Sequence, residues 1–297
     1  MMEAVRPPVC LLVNPSAGGG RAARALPGVE AELRNRGLEV RTEPTQSLEH
    51  ARGLARTAAG AGETVVTLSG DGLIGCVAGV LREIPGSVLG VLPGGRGNDF
   101  ARVVGIPPEP VAACAVIAGG VARPIDLGEV DGRTFIGIAS LGFDSAANEI
   151  ANRSPARLGN FVYTYGALRA LATWKPARFD VTLDGDEHHF TGWSVAAANS
   201  KAYGGGMFMA PDAELDDGLL DVVLSAQSSK LTFLRNLPKV FKGDHVHEPQ
   251  VTVLRGGELR IDSDRPFTVY ADGDPIGELP VTVRAVPAAL RVLLPVA

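Results

Sequence analysis

The stretch VVTLSGDGLIGCV, residues 65–77, runs four apolar or β-branched residues into Ser69-Gly70-Asp71-Gly72 and continues with small apolar ones. An acid between two glycines at a strand end is either a tight turn or a loop that lets a phosphate approach bare backbone. The neighbouring sequence says which fold carries it. Upstream, VCLLVN and LEVRTEPT read as strands. Between them a helical segment over 21–36 puts Leu26, Val29 and Leu33 on one face, and Pro27 sets the expected start of its regular part. Leu48, Ala51, Leu54 and Ala58 repeat at helical spacing. TVVTLS and SVLGVLP are further strands, with a helix expected over 74–83 between them. Strand–helix alternation implies a parallel sheet covered by helices, whose strand-end loops are where ligands bind.

After Arg123 the pattern changes. RPIDLGEVDGRTFIGIA, ARFDVTLDGDEHHFTGWSVAAAN and ELRIDSDRPFTVYADGD read as strand pairs, with Asp-Gly hairpin signals at Asp131-Gly132 and Asp184-Gly185. Helical insertions are expected near 143–152, 158–173 and 228–242. The fold expected is α/β in two domains. An N-terminal parallel α/β domain covers 1–123, with 287–297 (PAALRVLLPVA) returning to it, and an antiparallel β-sandwich domain with helical insertions covers 124–286.

Composition sets outer limits. Of 297 residues, 45% are hydrophobic and 21% charged, which describes an ordinary globular protein. A formal net charge of −5 argues against a general nucleic-acid binder. Cys10, Cys76 and Cys114 are odd in number and widely spaced, so buried reduced thiols of a cytoplasmic protein are expected. The apolar run after the N-terminus breaks at Asn14-Pro15, too early for a secretory signal. The longest apolar stretch, VAACAVIAGGVA, is too short to span a bilayer. His188, His189, His245 and His247 lack ligand spacing and read as exposed loop histidines.

Three glycine-bearing turns end first-domain strands: NPSAGGGR, SGDG and PGGRGNDFAR. Glycine removes the Cβ, so backbone N–H groups can meet an anion at short range, and a helix beginning after the loop adds its positive end. In a parallel sheet all three loops would share one edge. There is no Gly-x-x-x-x-Gly-Lys-Ser/Thr, no Gly-x-Gly-x-x-Gly at a strand–helix junction with an acid about twenty residues later, and no Gly-x-Ser-x-Gly elbow.

NPSAGGG, SGDGLIGCV, LPGGRGNDFAR, YGGGMFMAPDAELDDGLLDVVL and YADGDPIGELP, in that order and spacing, resemble the diacylglycerol kinase catalytic family, which includes bacterial lipid kinases and sphingosine kinases. NAD kinases share a related Gly-Asp-Gly loop, but NDFAR, the Asp-Asp-Gly segment and the late ADGD fit lipid kinases better. The resemblance covers nearly the whole chain. It implies ATP and Mg2+ as cofactors, a lipid hydroxyl as acceptor and an active site in a cleft between the domains. Carried over residue by residue, it implies that Asn14, Pro15, Ser16, Ala17 and Gly18, with Thr45, Ser69, Gly70, Asp71, Gly72, Leu73 and Gly75, hold the ATP phosphates. Asn98 and Asp99 open the helix after the third loop, and Asp99 also suits an N-cap. Asp217, with carbonyls of Glu214 and Leu219, would hold magnesium, and Asp71 would organise magnesium or its waters. Asp272 would be the general base and Asp274 the second acid, the two placed on one side by the strand period.

The sequence departs from the family's usual Gly-Gly-Asp-Gly-Thr-x-Asn-Glu at Ser69, Leu73, Gly75 and Cys76, and Arg96 stands for a hydroxyl residue. Arg96 could supply a charge-assisted phosphate contact instead. These changes keep open a catalytically silent nucleotide- or lipid-binding member as the alternative to a kinase. For the acceptor slot, Met207, Phe208 and Met209 and the aromatic residues Phe161, Tyr163, Tyr165 and Trp174 are the candidates, with core packing as the competing explanation. The expected partners are ATP, a diacylglycerol-like lipid, the membrane inner face as a peripheral contact and a second copy of the chain.

Overall fold

The computed structural model describes residues 7–154 and 161–296, side chains at 148, 151–153 and 161–164 excepted. It divides into two compact units, Met1–Ile125 with Ala288–Ala297, and Asp126–Pro287.

The first unit begins with β1 (Val9–Val13), α1 (Ala17–Asn35), β2 (Val40–Pro44) and α2 (Leu48–Gly60). β3 (Thr64–Ser69), α3 (Asp71–Leu81), β4 (Val88–Pro93), α4 (Asp99–Val103) and α5 (Pro110–Gly119) follow. β1 pairs in parallel with β2 on one side and β3 on the other, and β3 pairs in parallel with β4. The chain therefore leaves β1 in one direction and resumes beside it in the other, a switch point of the kind that opens a crevice at the carboxyl ends of strands. β1 is buried along its whole length and β3 nearly so, as fully covered parallel strands require.

Two helices differ from the sequence reading. Gly18, Gly19 and Gly20 are left-handed, with φ of 59°, 66° and 85°, so regular helix in α1 starts at Arg21 and runs through Pro27. Burial of Ala22, Val29 and Leu33 on both sides of the proline holds the helix together across it. In α2 the buried stripe is Ala51, Ala55 and Ala58, and Leu48 is exposed.

The second unit is antiparallel. β5 (Val121–Val130), whose residues up to Ile125 belong to the first unit, β6 (Arg133–Phe135) and β7 (Ile138–Gly142) lead into α6 (Phe143–Arg153) and α7 (Phe161–Thr173). β8 (Ala177–Leu183), β9 (Asp186–Ala198), β10 (Leu220–Ala226), α8 (Lys230–Val240), β11 (Val251–Gly256) and β12 (Glu258–Ser263) follow. β13 (Thr268–Ala271), β14 (Asp274–Glu278) and β15 (Val281–Leu294) complete it, the last residues of β15 belonging to the first unit. There Arg291 pairs in parallel with Val88 of β4. The core of the second unit is aliphatic and aromatic, with Phe135, Phe179, Leu220, Leu259 and Val283 fully buried. Asp131, Asp184 and Asp272 all adopt positive φ before a positive-φ glycine, the geometry that two-residue hairpins need. No helix among the described residues is long and apolar enough to cross a membrane. Burial pushes the thiols of Cys10 and Cys114 up to about 11.

Candidate functional site

The three glycine-rich loops of the first unit leave the carboxyl ends of β1, β3 and β4 and touch one another. A Cβ on Gly18 would lie 2.6 Å from the Gly94 carbonyl oxygen, and one on Gly95 would lie 2.4 Å from the Gly70 Cα. Side chains cannot enter there, so backbone lines the place where the loops meet. Asn14 ties the first loop, its Oδ1 accepting from the Ser16 amide at 3.1 Å and the Ser16 hydroxyl at 3.0 Å. The Thr45 hydroxyl donates to the Val13 carbonyl at 3.1 Å, on the same sheet edge. Asn98 folds the third loop on itself, its amide accepting from Gly95 N–H at 2.8 Å and donating to Gly95 C=O at 3.1 Å. Arg96 is exposed at the tip of that loop.

Asp71 has a different neighbourhood from the one implied above. Its Oδ2 and Oδ1 accept the Asp99 and Phe100 amides, each at 3.1 Å, so a side chain of the second loop caps the helix that follows the third. Asn98 is the cap residue by position and makes no side-chain cap bond, and Asp99 is the first helical residue, not the N-cap expected of it. Burial, then the neighbouring Asp99 charge, raises the Asp71 carboxyl above its usual range, against the two amide bonds. Gly70 is the cap of α3, so the first-turn N–H groups at Gly72 and Leu73 have no carbonyl acceptor inside the helix. The Leu73 side chain is buried and Gly75 lies inside α3; neither offers a side-chain contact to a phosphate.

In the second unit, Asp272 sits in the turn between β13 and β14. Its carboxylate accepts the Ile136 amide at 2.8 Å and the Gly137 amide at 2.9 Å. The Gly137 carbonyl in turn takes amides of Asn199 and Ser200 at 3.0 and 3.1 Å, so the seat of the carboxylate is itself fixed. A Cβ on Gly137 would stand 2.5 Å from Asp272 Oδ1. Asp274 opens the return strand across Gly273, which has φ of 94°. The strand period that put the two acids on one side does not apply, because a turn separates them. Asp274 is exposed, yet surrounding protein desolvates its carboxyl enough to raise it above the usual range.

The segment expected to hold magnesium is spoken for. Asp217 Oδ2 forms an ion pair with Arg255, and its Oδ1 accepts the Leu219 amide at 3.0 Å. Arg255 also stands 3.5 Å from the buried Asp221. Asp126, another buried acid, takes the Gly218 amide at 2.6 Å. Glu214 is exposed. Among the described residues no group of three His, Cys, Asp or Glu side chains could hold a metal ion. The residues as arranged do not fit a cation at Asp217, where a guanidinium supplies the positive charge.

A cavity of about 190 Å³ lies within the second unit. Met207 and Met209 line it as expected, together with Phe143, Trp193, Phe233 and Val240, whereas Phe208 and Asp272 do not. Tyr165 is exposed, Trp174 packs edge-on against Phe143, and the side chains of Phe161 and Tyr163 lie outside the described residues. The cavity is smaller than most drug-sized sites and comparable with one that accepts a single benzene, about 150 Å³. It therefore suits part of one hydrocarbon chain.

The sequence reading missed two residues of this cavity. Asp144 is the one acid among the described residues that line it, and burial lifts its carboxyl to about 6 despite hydrogen bonds from Ser194 and Tyr203. Its Oδ2 is buried without a hydrogen-bond partner. The available signal was an acid straight after the apolar strand IASLGF, as Asp71 follows TVVTLS. His245, read as an exposed loop histidine, is buried in the cavity wall, and burial lowers its pKa. His188 and His189 lie on β9, not in a loop.

Residues 8–130 match the model of the diacylglycerol kinase catalytic domain, and 137–294 match that of the YegS C-terminal NAD kinase beta sandwich-like domain. The chain is 36% identical to a diacylglycerol kinase of Mycobacterium tuberculosis, over 97% of this chain and 95% of that one. A diacylglycerol kinase of Bacillus subtilis is 27% identical over 91% and 90%. The crystal structure of a diacylglycerol kinase from Bacillus anthracis superimposes with a TM-score of 0.82 at 22% identity, covering 98% of each chain.

Proposed function

The chain belongs to the diacylglycerol kinase catalytic family, and from that membership we infer that it is an ATP-dependent lipid kinase whose acceptor is the hydroxyl of a diacylglycerol-like lipid. The observation that carries the reading is the convergence of three glycine-rich loops on the carboxyl edge of a parallel sheet, with the open first turn of α3 among them. Such backbone takes polyphosphate without needing the hydroxyl and amide side chains that this sequence lacks. Asn14 to Gly18, Ser69 to Gly72, Thr45 and Asn98 are proposed to hold and shape the ATP site, and Arg96 to reach its phosphates. Loss of Arg96, as Arg96→Ala, then raises the KM for ATP while the melting temperature stays unchanged.

The unit Asp126–Pro287 is proposed to hold the lipid. The acceptor hydroxyl attacks the γ-phosphorus and its proton passes to Asp272. The new O–P bond forms as the bond to the β-phosphate oxygen breaks, and ADP leaves. Asp274 supplies a second carboxylate beside this exchange. Positioning and charge neutralisation supply most of the rate in such transfers. Magnesium is proposed to accompany ATP on its own phosphates, where it would neutralise part of their charge.

The cavity supports a long acceptor. Asp272 is bonded at residues just before β7, and Asp144 follows the strand's end. The five residues between span about 16 Å at 3.3 Å each. A lipid with its hydroxyl at Asp272 could send one chain toward the cavity; a small soluble alcohol could not reach both. ADP release by the purified protein, measured with ATP and with or without diacylglycerol, tests the function. Release dependent on diacylglycerol supports it. ATP binding with no ADP under any lipid condition supports the silent alternative.

A further inference from the structure

α8 buries none of its eleven residues completely. One face, at Phe233, Asn236, Leu237 and Val240, lines the cavity. Away from it, Leu231 and Leu234 are 69% and 38% exposed, and Phe241 just past the helix is 52% exposed while also lining the cavity. The cavity therefore reaches the surface beside this helix. Single exposed apolar residues are ordinary, but here three fall within eleven positions. They alternate with Lys230, Arg235, Lys239 and Lys242, and residues 228–243 contain no acid, although the chain carries a net charge of −5. Lys239 pairs with Glu248, and Lys230 donates to the Ala172 carbonyl at 2.9 Å. Arg235 and Lys242 are exposed.

Apolar and basic residues interleaved on an unburied helix form the pattern of an element that lies in a membrane interface. We propose that the outer face of α8, with Phe241, docks this protein on an anionic lipid bilayer and sets the cavity against the membrane. The partner is a bilayer and not a second protein because the face pairs positive charge with exposed aliphatic side chains, the combination that an anionic leaflet attracts. The inference rests on the lipid-kinase reading and adds to it the surface by which substrate is met. A cavity that suits one chain leaves the other chain of a diacylglycerol to remain in that bilayer.

The test is flotation of the full chain with phosphatidylcholine vesicles, with and without phosphatidylglycerol, at rising salt. Wild type is expected to float with the phosphatidylglycerol vesicles and to come off as salt rises. Leu231→Glu/Leu234→Glu is expected to bind about tenfold more weakly or worse, and Lys242→Glu to shift release to lower salt. Both variants keep the wild-type melting temperature and turnover on a short-chain, monomeric diacylglycerol. Equal flotation of variant and wild type overturns the proposal. So does a double variant that changes only oligomeric state, or one that loses turnover on the monomeric acceptor as well. If wild type makes no phospholipid at all but still floats through α8, the docking surface stands and the kinase reading falls.

Discussion

Replacing Asp272 by asparagine separates a catalytic carboxylate from a structural one, because the protein contains its own control. Asp184 also sits at positive φ before glycine and also accepts two amides, from Gly257 at 2.9 Å and Glu258 at 2.8 Å. Asp272 has the same conformation and the same double bond pattern, at 2.8 and 2.9 Å. In either place asparagine turns one acceptor oxygen into an NH2 that faces an N–H. A lost bond to a charged group is worth about 1.5–3 kcal/mol. At about 2–4 °C per kcal/mol for a unit of this size, melting should fall by roughly 3–12 °C in both variants. Only Asp272→Asn removes a base, which contributes about 10² to 10⁴ in rate. The assay is a thermal melt of each variant beside initial rates of phosphorylated lipid formation, normalised to folded protein, with the KM for ATP. Asp184→Asn is expected to lose stability and keep kcat; Asp272→Asn to lose both, with the ATP KM unmoved. If the two variants behave alike, with kcat intact, Asp272 is a turn residue and the base must be sought at Asp71, the buried carboxylate of the nucleotide loops.

Asp144→Asn is expected to stabilise the fold while impairing use of lipid. The carboxyl rises from 3.8 to about 6 on folding, so between those values the folded state keeps a proton that the unfolded chain has lost, and stability declines as pH increases. Above pH 6 the full penalty is about 3 kcal/mol; the variant-minus-wild-type difference in melting should grow from nothing near pH 4 to a plateau above pH 6. Arg255→Met removes the cation between Asp217 and buried Asp221: the melting temperature should fall below that of wild type at neutral pH, and an unchanged melt would show that the guanidinium adds nothing to stability. Gly95→Ala drives a methyl into the Gly70 backbone and should raise the ATP KM at least tenfold, with lipid-vesicle binding unaffected.

What could be read from sequence was what short-range physics encodes. VCLLVN and TVVTLS are buried on both faces, so they are apolar throughout and legible as parallel strands. The Asp-Gly pairs need positive φ, so they mark hairpins. Once the sheet is parallel, its loops must share an edge. What stayed hidden depends on partners far along the chain. Asp71 caps a helix 28 residues on, Asp217 meets Arg255 across 38 residues, and Asp272 takes amides 135 and 136 residues back. Pro27 survives inside α1 because of what its neighbours bury. His245 carries no local mark of burial, since the cavity around it is assembled from five separate segments of the second unit.

The most direct measurement gives the purified protein ATP labelled in its γ-phosphate together with a total lipid extract, then separates the organic from the aqueous phase. The account predicts label in the organic phase, in a species that co-migrates with phosphorylated diacylglycerol. Label confined to water, as ATP or inorganic phosphate, with the protein folded and binding nucleotide, would contradict it.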